Sequence, residues 1–531
     1  MINRVKSGIL YGIEGRLIEI EVDLSRGMPS FSVVGLAGTE IKESKERVRS
    51  SINNSNLVFP NGRIVVNLSP ADLKKDGSYL DLGICMGILR NKISKTDEEL
   101  MKIAFLGELS LDGSLRSVNG ILSIVISLKK YGIKSIYIPI DSYYECHEVE
   151  GIEIIPVKSV KECLKVVSMP SDEYESFIEK RYADLNTIIE EKTREFDEKK
   201  IYTDDFYYIK GNSFAKRCVE ISVSGGHNLL LIGPPGTGKT MIAKSIRSVL
   251  PELDNSEKLI VTQIYSAAGK LNNISGLMKE RPFRQPHHTT TRLSIIGGGI
   301  NASLGEITLA HKGILFLDEI PEFNRHTIDA MRQPLEDGYI NVSRINNSFN
   351  YPASFTLIAT ANPCPCGYYN TDKICTCKQS EIERYKNRIS GPILDRMDLF
   401  CEVGEIDYEE FSKNNSEMYS SCEMKKRIEL ARNVQYKRFS KGMEDKDNNI
   451  SLNSEMNSEL IYKYCILDKE AQKTARKLHN KYNLSNRSYL RILKVARTIA
   501  DLENRERIGE SDIIESFSYR KAYYKYFSKI Y

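Results

Sequence analysis

The run "LLLIGPPGTGKT" constrains this chain more than any other stretch. Apolar residues 229–232 read as a buried strand, a glycine-rich loop follows, and a helix-forming segment begins behind it. Gly233, Gly238, Lys239 and Thr240 satisfy the G-x-x-x-x-G-K-[ST] pattern in the strand–loop–helix context it requires. Gly233, Pro234, Pro235, Gly236, Thr237 and Gly238 form a loop whose backbone N–H groups wrap a β-phosphate. The positive end of the following helix adds to the attraction. Lys239 reaches the β/γ oxygens, and Thr240 offers its hydroxyl to Mg²⁺. A glycine-rich turn without a ligand is the plain alternative, but strand, loop, Lys and Thr are all in place. The loop therefore predicts ATP and Mg²⁺ as cofactors.

Two further strands follow from this start. "GILFLDEI" puts Asp318 and Glu319 at the carboxyl end of an apolar strand roughly 80 residues on. In enzymes with this loop the first acid holds Mg²⁺ through water, and a second beside it is placed to polarise the attacking water. "FTLIATANP" is a third apolar strand, ending in Asn362, which is placed to contact the γ-phosphate or position the water. Asn-Pro is also a common turn former. Such strands separated by helical segments across 206–405 predict a parallel sheet with crossover helices.

A chain of 531 residues is too long for one core. Residues 1–168 alternate short apolar runs ("RLIEIEVDL", "RIVVNLS", "IKSIYIPI") with turns and helical stretches, which predicts a mixed α/β domain. Residues 169–205 are charged and nearly glycine-free, reading as a helical linker, and 406–531 are mostly helical. The fold class is thus α/β and multidomain. No run reaches the roughly 18–20 apolar residues a membrane helix needs. The opening "MINRVKSGILYGIEGRL" has no sustained apolar core or small-residue cleavage site, so no signal peptide is expected. The odd count of eleven cysteines is no disulfide framework and points to a reducing cytoplasm. A net charge of +4 does not by itself predict nucleic-acid binding.

Four of those cysteines crowd into "NPCPCGYYNTDKICTC". Cys364, Cys366, Cys375 and Cys377 give C-x-C-x₈-C-x-C, two close pairs across a short glycine-containing loop that can wrap one tetrahedral Zn²⁺. An Fe–S cluster and free structural thiols are the alternatives. The loop is too polar to make its own core, and a metal supplies about 10–16 kcal/mol of apparent binding energy toward folding. The cluster begins two residues after Asn362, so the metal would also brace the third strand. His287 and His288 are adjacent and point apart on regular structure, which suits a substrate-facing or structural role better than metal.

"GPPGTGKT", "GILFLDEI" and "IATANP" together resemble an AAA+ ATPase. "RPFRQPHHTTT", "GEITLAHKGILFLDEIPEF" and "RISGPILDRMDLF" narrow the likeness to the magnesium-chelatase-like branch. From about residue 3 to 525 the chain is similar to the ComM/YifB family. The resemblance implies a ring, usually a homo-hexamer, with ATP between subunits and a neighbour's arginine on the γ-phosphate. Arg396 in "ILDRMD" matches that arginine, and Arg388 is a second candidate. A surface ion pair with Asp395 or Asp398 is the alternative for either.

"LSNRSYLRILKVARTIADLE" resembles the family's helical lid, and Arg487 matches the lid arginine that contacts nucleotide in cis. Ser485 or Asn486 suits the N-cap. An arginine in a first turn opposes the helix dipole, which a bound anion there would explain. Two inserts are implied, at roughly 268–305 and as a hairpin in "GYINVSRINNSFNYPA" whose Arg344 faces DNA phosphates in a pore.

"NLSPADLKKDGSYLDLGICMGIL" and "GELSLDGSLRSVNGILSIVISLKKYGIKSIYIP" resemble the Lon-type (S5-like) protease domain. The nucleophile position falls on Tyr79, beside Ser78, and the lysine position on Leu122, so the resemblance implies the fold without the catalytic dyad. Such a domain serves assembly or partner binding. The family implies an ATP-driven DNA helicase promoting branch migration during DNA integration in natural transformation or recombination. Single-stranded or branched DNA would be the partner, with recombination proteins beside it and no membrane. Rival readings are a protein-remodelling AAA+ chaperone, a magnesium-chelatase-type motor subunit, which residues 1–165 argue against, and a protease.

Overall fold

In "EGRLIEIEVDLS" every second residue is apolar, and this period of two becomes a strand with one buried face: Ile18, Ile20 and Val22 are buried. The computed structural model describes residues 2–36, 38–198, 205–271, 276–299, 303–343, 348–371, 373–406, 419–440 and 450–527. The chain divides into two compact units, Met1–Ile201 with Asn255–Met278, and Tyr202–Asp254 with Lys279–Tyr531. No helix among the described residues is long and apolar enough to cross a membrane.

The first unit holds β1 (Ile2–Tyr11), β2 (Glu14–Ser25), β3 (Ser30–Val34), β4 (Arg63–Ser69), β5 (Ile103–Phe105), β6 (Glu108–Leu109), β7 (Leu115–Arg116), β8 (Ser135–Pro139) and β9 (Glu153–Val157). Seven of these form one mixed sheet in the order β3-β4-β2-β1-β5-β8-β9, while β6 and β7 pair separately. Its β1–β2 and β2–β4 pairs are antiparallel and the rest parallel. One core gathers around the buried helix Asp81–Ile88, another around the helix Ile121–Lys130. The charged segment after 168 forms the helix Ser171–Glu198.

Residues 255–278 lie inside the span 206–405 that sequence reading assigns to the ATPase core, yet they join this first unit. Leu259 and Leu277 enter the core around the helix Ile121–Lys130. Ser266 Oγ donates to Glu145 at 2.6 Å, and Gly120 N–H donates to Ser266 O at 2.9 Å. Burial pushes the Glu145 carboxyl up to about 7.

The second unit carries a five-stranded parallel sheet. Its strands are β10 (Leu229–Ile232), β11 (Phe283–Arg284), β14 (Ile314–Leu317), β17 (Thr356–Ala361) and β18 (Leu399–Glu402), in the order β11-β14-β17-β10-β18. These strands are apolar runs because both faces are covered. Leu229 and Leu231 enter one core, and Leu230 and Ile232 the other. The phosphate-loop strand is thus interior, flanked by β17 and β18. Loops at the carboxyl ends of such strands are where open parallel sheets bind ligands.

Two small hairpins interrupt this pattern where inserts were expected. β12 (Gly297–Gly298) pairs with β13 (Ser303–Leu304), and β15 (Tyr339–Ser343) pairs antiparallel with β16 (Ser348–Pro352). Arg344 lies outside the described residues.

The C-terminal part is helical, including Ser421–Ser440, Lys469–Tyr482, Asn486–Leu502 and Glu510–Ser518. Asp501 is buried among these helices and accepts from Arg438 Nη1 at 2.9 Å, Arg497 Nε at 3.1 Å and Asn453 Nδ2 at 2.8 Å. Removing one partner from a buried charge network strands the others, so Asp501→Ala is expected to destabilise the second unit by about 3–5 kcal/mol. Urea unfolding checks this, and an unchanged midpoint would contradict it.

Candidate functional site

The loop after β10 turns on two left-handed glycines, Gly236 (φ +82°) and Gly238 (φ +85°). Gly233 is required for space, since a Cβ there would lie 2.1 Å from Val403 O. Lys239 Nζ donates to Gly233 O at 2.8 Å and Pro234 O at 2.6 Å, and Thr237 Oγ1 donates to Pro234 O at 3.0 Å. Burial lowers the Lys239 ammonium to about 8, against the pull of Asp318 and Glu319. An ammonium whose hydrogen bonds go to carbonyl oxygens, with a helix N-terminus beside it, fits an anionic phosphate.

Thr240 Oγ1 donates toward Asp318 Oδ1 at 3.1 Å. On its other side Asp318 Oδ1 accepts from Thr360 Oγ1 at 2.6 Å, and Thr360 Oγ1 in turn accepts the Glu319 N–H at 2.8 Å. One hydroxyl from β17 therefore fixes both acids at the end of β14. Sequence reading missed Thr360; the signal was a polar residue inside the apolar strand "TLIATA". Glu319 is exposed and has φ +53°, a left-handed conformation that costs a non-glycine residue about 1–3 kcal/mol. Asn362 follows the last residue of β17, where Ala361 O accepts the Gly233 N–H at 3.3 Å. Thr240, Asp318, Glu319 and Asn362 thus share the carboxyl edge that carries the loop.

The arginines are placed differently. Arg396 is paired with Glu336 and donates to Pro392 O at 2.8 Å, so its partner is neither Asp395 nor Asp398. Arg388 pairs with Glu322 at 2.9 Å. Arg487 is exposed in the first turn of the helix Asn486–Leu502, whose N-cap is Ser485. Four residues on, Arg491 donates to Arg396 O at 3.2 Å and pairs with buried Asp398. Asp398 also accepts the Asn228 N–H at 3.2 Å. Burial alone would raise the Asp398 carboxyl, but Arg491 and His227 hold it well below the usual carboxylate range. The helix carrying Arg487 is thereby tied to the segment carrying Arg396, through an arginine that sequence reading did not single out.

The four cysteine sulfurs lie within 4.8 Å of one another, and no other group of three or more metal-ligating side chains occurs among the described residues. Cys364 and Cys366 are 3.3 Å apart, Cys364 and Cys375 3.7 Å, and Cys366 and Cys375 3.6 Å. Zn–S bonds of about 2.3 Å in a tetrahedron require sulfurs about 3.8 Å apart. The Cys366 N–H points at Cys377 Sγ at 3.4 Å and the Tyr369 N–H at Cys364 Sγ at 3.3 Å, the donors thiolates need. Burial raises the Cys366 thiol, but the amides of Tyr368 and Thr376 outweigh this and bring it to about 6, while burial pushes the neighbouring Cys377 thiol up to about 12. The set therefore fits Zn²⁺. His287 bonds Thr289 Oγ1 at 2.9 Å, and its ring centroid lies 4.0 Å from that of His288.

In the first unit Ser78 donates to the Glu108 carboxylate. Leu122 is buried in a hydrophobic core and Tyr79 packs at its margin. Lys75 is buried with its ammonium on Pro70 O.

The interior strand, its glycine loop and the acidic pair of β14 define a P-loop nucleotide-binding core of the AAA+ type. Family comparison agrees: "Magnesium chelatase, subunit ChlI" matches residues 205–411, "Subunit ChlI of Mg-chelatase" 20–142, and "Magnesium chelatase, subunit ChlI C-terminal" 418–520. The chain is 38% identical over 511 residues to the uncharacterized protein YifB of Salmonella typhimurium, covering 96% of this chain and 95% of that protein. It is 36% identical over 509 residues to competence protein ComM of Haemophilus influenzae, again 96% and 95%. A shorter match, 30% over 134 residues, is to an archaeal Lon protease of Methanocaldococcus jannaschii (25% of this chain, 20% of that protein). The chain belongs to the magnesium-chelatase-like ComM/YifB family.

Proposed function

We propose that this protein is an ATP-driven, ring-forming DNA motor, a helicase that promotes branch migration while DNA is integrated during transformation or recombination. The observation that carries the motor is Asp318 held between the hydroxyls of Thr240 and Thr360, beside Lys239. The DNA substrate rests on the likeness to a competence protein.

In this reading the backbone of 233–238 cradles the β-phosphate, Lys239 turns from its carbonyls to the β/γ oxygens, and Thr240 and Asp318 hold Mg²⁺. Bound Mg²⁺ would neutralise charge developing on the phosphates. Glu319 takes the proton of the attacking water, and Asn362 orients that water. Arg396 reaches a neighbouring subunit's γ-phosphate, and Arg487 contacts nucleotide in its own chain. The hairpin β15–β16 with Arg344 moves DNA in the pore of a homo-hexamer. Cys364, Cys366, Cys375 and Cys377 hold a structural Zn²⁺. Residues 1–168 form a Lon-like domain without the catalytic dyad, consistent with Ser78 facing a carboxylate. Residues 169–205 link it to a core made of 206–254 and 279–405, with 255–278 joining the first unit, and 406–531 form the lid. The protein works in the cytoplasm.

Lys239 gives this reading a pH signature. Its free-state value of about 8 rises when a phosphate lies beside it, because an anion favours the charged form. Between the free and bound values nucleotide binding takes up a proton, so affinity falls as pH rises through about 8, by up to about tenfold per unit. Calorimetric titration with ADP in buffers of different ionisation heat checks this. Proton uptake is expected near pH 9 and little near pH 7; equal affinities at both, with none, would contradict it.

The direct test of the proposed class is steady-state hydrolysis with single-stranded DNA, junction DNA and unfolded protein in parallel. Stimulation by DNA alone supports the motor. Stimulation by the protein client alone favours remodelling, and stimulation by a porphyrin with a partner subunit favours a chelatase motor.

A further inference from the structure

The cysteine loop touches the phosphate loop. At Gly367 a Cβ would lie 2.4 Å from Cδ of Pro235 and 3.2 Å from its Cγ, and φ is +87°. A side chain is therefore excluded both by space and by backbone conformation. Gly367 follows Cys366 directly, and its N–H donates to Cys364 O at 3.0 Å. The turn that brings the first two sulfurs together is thus the surface on which Pro235 rests.

The cluster meets the nucleotide site at a second point. Cys364 is buried two residues beyond Asn362, and the strand end before it receives the Gly233 N–H through Ala361 O. The rest of the loop has little packing of its own: Pro365, Asn370 and Lys373 are exposed, and Ile374 is 88% exposed. Its anchors besides the sulfurs are few: Tyr369 packs against the core beneath, and Lys373 pairs with Glu405 at 2.5 Å.

We propose that metal occupancy of the cysteine cluster controls the nucleotide loop, with Gly367 as the positioning residue that transmits it to Pro235. With the metal bound, the turn 364–367 props Pro235 and keeps the 233–238 backbone amides converged on the phosphate. With the metal lost, the prop relaxes and nucleotide affinity falls. This rests on reading the cluster as a Zn²⁺ site, and the test separates the two claims.

The full-length protein is analysed for zinc, then treated with the zinc chelator TPEN in excess Mg²⁺, and a fluorescent ADP is titrated before and after. About one zinc per chain is expected. Displacing a loop by about 1 Å is costly, so depletion is expected to raise the ADP Kd at least about tenfold, and added Zn²⁺ to restore it. Cys377→Ser, on the far limb of the loop, should lose zinc and show the raised Kd without restoration. Gly367→Ala should keep its zinc and still bind ADP weakly, and Pro235→Gly in that background should recover part of the loss. A simple structural role for the loop would not give that split. Far-UV circular dichroism shows whether each protein is folded; if Cys377→Ser is not, the reversible chelation of the wild type decides. An unchanged Kd after verified zinc loss overturns the coupling and leaves the Zn²⁺ site standing. A protein that carries no zinc and takes up none overturns both.

Discussion

Replacing Arg396 by alanine is expected to lower ATP turnover by about 10³–10⁵-fold while nucleotide affinity changes little. In the single chain Arg396 is paired with Glu336 and Pro392 O. Glu336 is exposed while the Arg396 side chain is only 14% exposed, so reaching a γ-phosphate requires the guanidinium to leave this pair and swing outward. The neighbouring Asp398–Arg491 pair fixes the backbone from which Arg396 projects, without using its guanidinium. If the arginine acts across a subunit boundary, mixing Arg396→Ala with Lys239→Ala protein must restore part of the activity. Some boundaries in the mixed ring then combine an intact loop with an intact finger. No recovery on mixing would place Arg396 in cis or remove it from the chemistry.

Glu319→Gln is expected to reduce hydrolysis by about 10²–10⁴-fold with ATP binding retained. Glutamine keeps the size and hydrogen-bonding reach of the side chain but accepts no proton. The left-handed backbone of Glu319 is retained because its N–H still finds Thr360 Oγ1. Thr360→Val tests the same geometry from behind. It removes the hydroxyl shared by Asp318 and the Glu319 amide, and should lower turnover with a smaller change in nucleotide Kd. Single-turnover hydrolysis beside ADP titration separates these effects. Near-normal hydrolysis by Glu319→Gln would mean that another group activates water.

The phosphate site was readable because its parts are local. A buried parallel strand must be an apolar run, and the loop's dihedrals demand glycine, so "LLLIGPPGTGKT" announces both. Asp318, Glu319 and Asn362 were likewise found at strand ends, and the sheet brings those ends together. Thr360 was not found, since a hydroxyl in a strand has no periodic signature and its value lies in two neighbours from β14. The alternative of an ion pair between Arg396 and the adjacent aspartates does not hold, because its partner Glu336 is distant in sequence and meets it only in the fold. Residues 255–278 show the same limit. Residues 255–267 form a helix inside the span read as core, and nothing local in the sequence tells that Leu259 and Leu277 bury themselves beside the helix Ile121–Lys130. The cysteine spacing predicted a cluster correctly, while the contact of Gly367 with Pro235 needed the structure.

The most direct measurement is strand movement on a four-stranded DNA junction. Labelled strand release would be followed with ATP, with a non-hydrolysable analogue, and with the Glu319→Gln protein. An ATP-driven branch-migrating motor predicts release only with ATP and the unaltered protein, accompanied by DNA-stimulated hydrolysis. Vigorous hydrolysis without strand release, and without response to any DNA, would contradict the DNA motor and leave an ATPase that acts on something else.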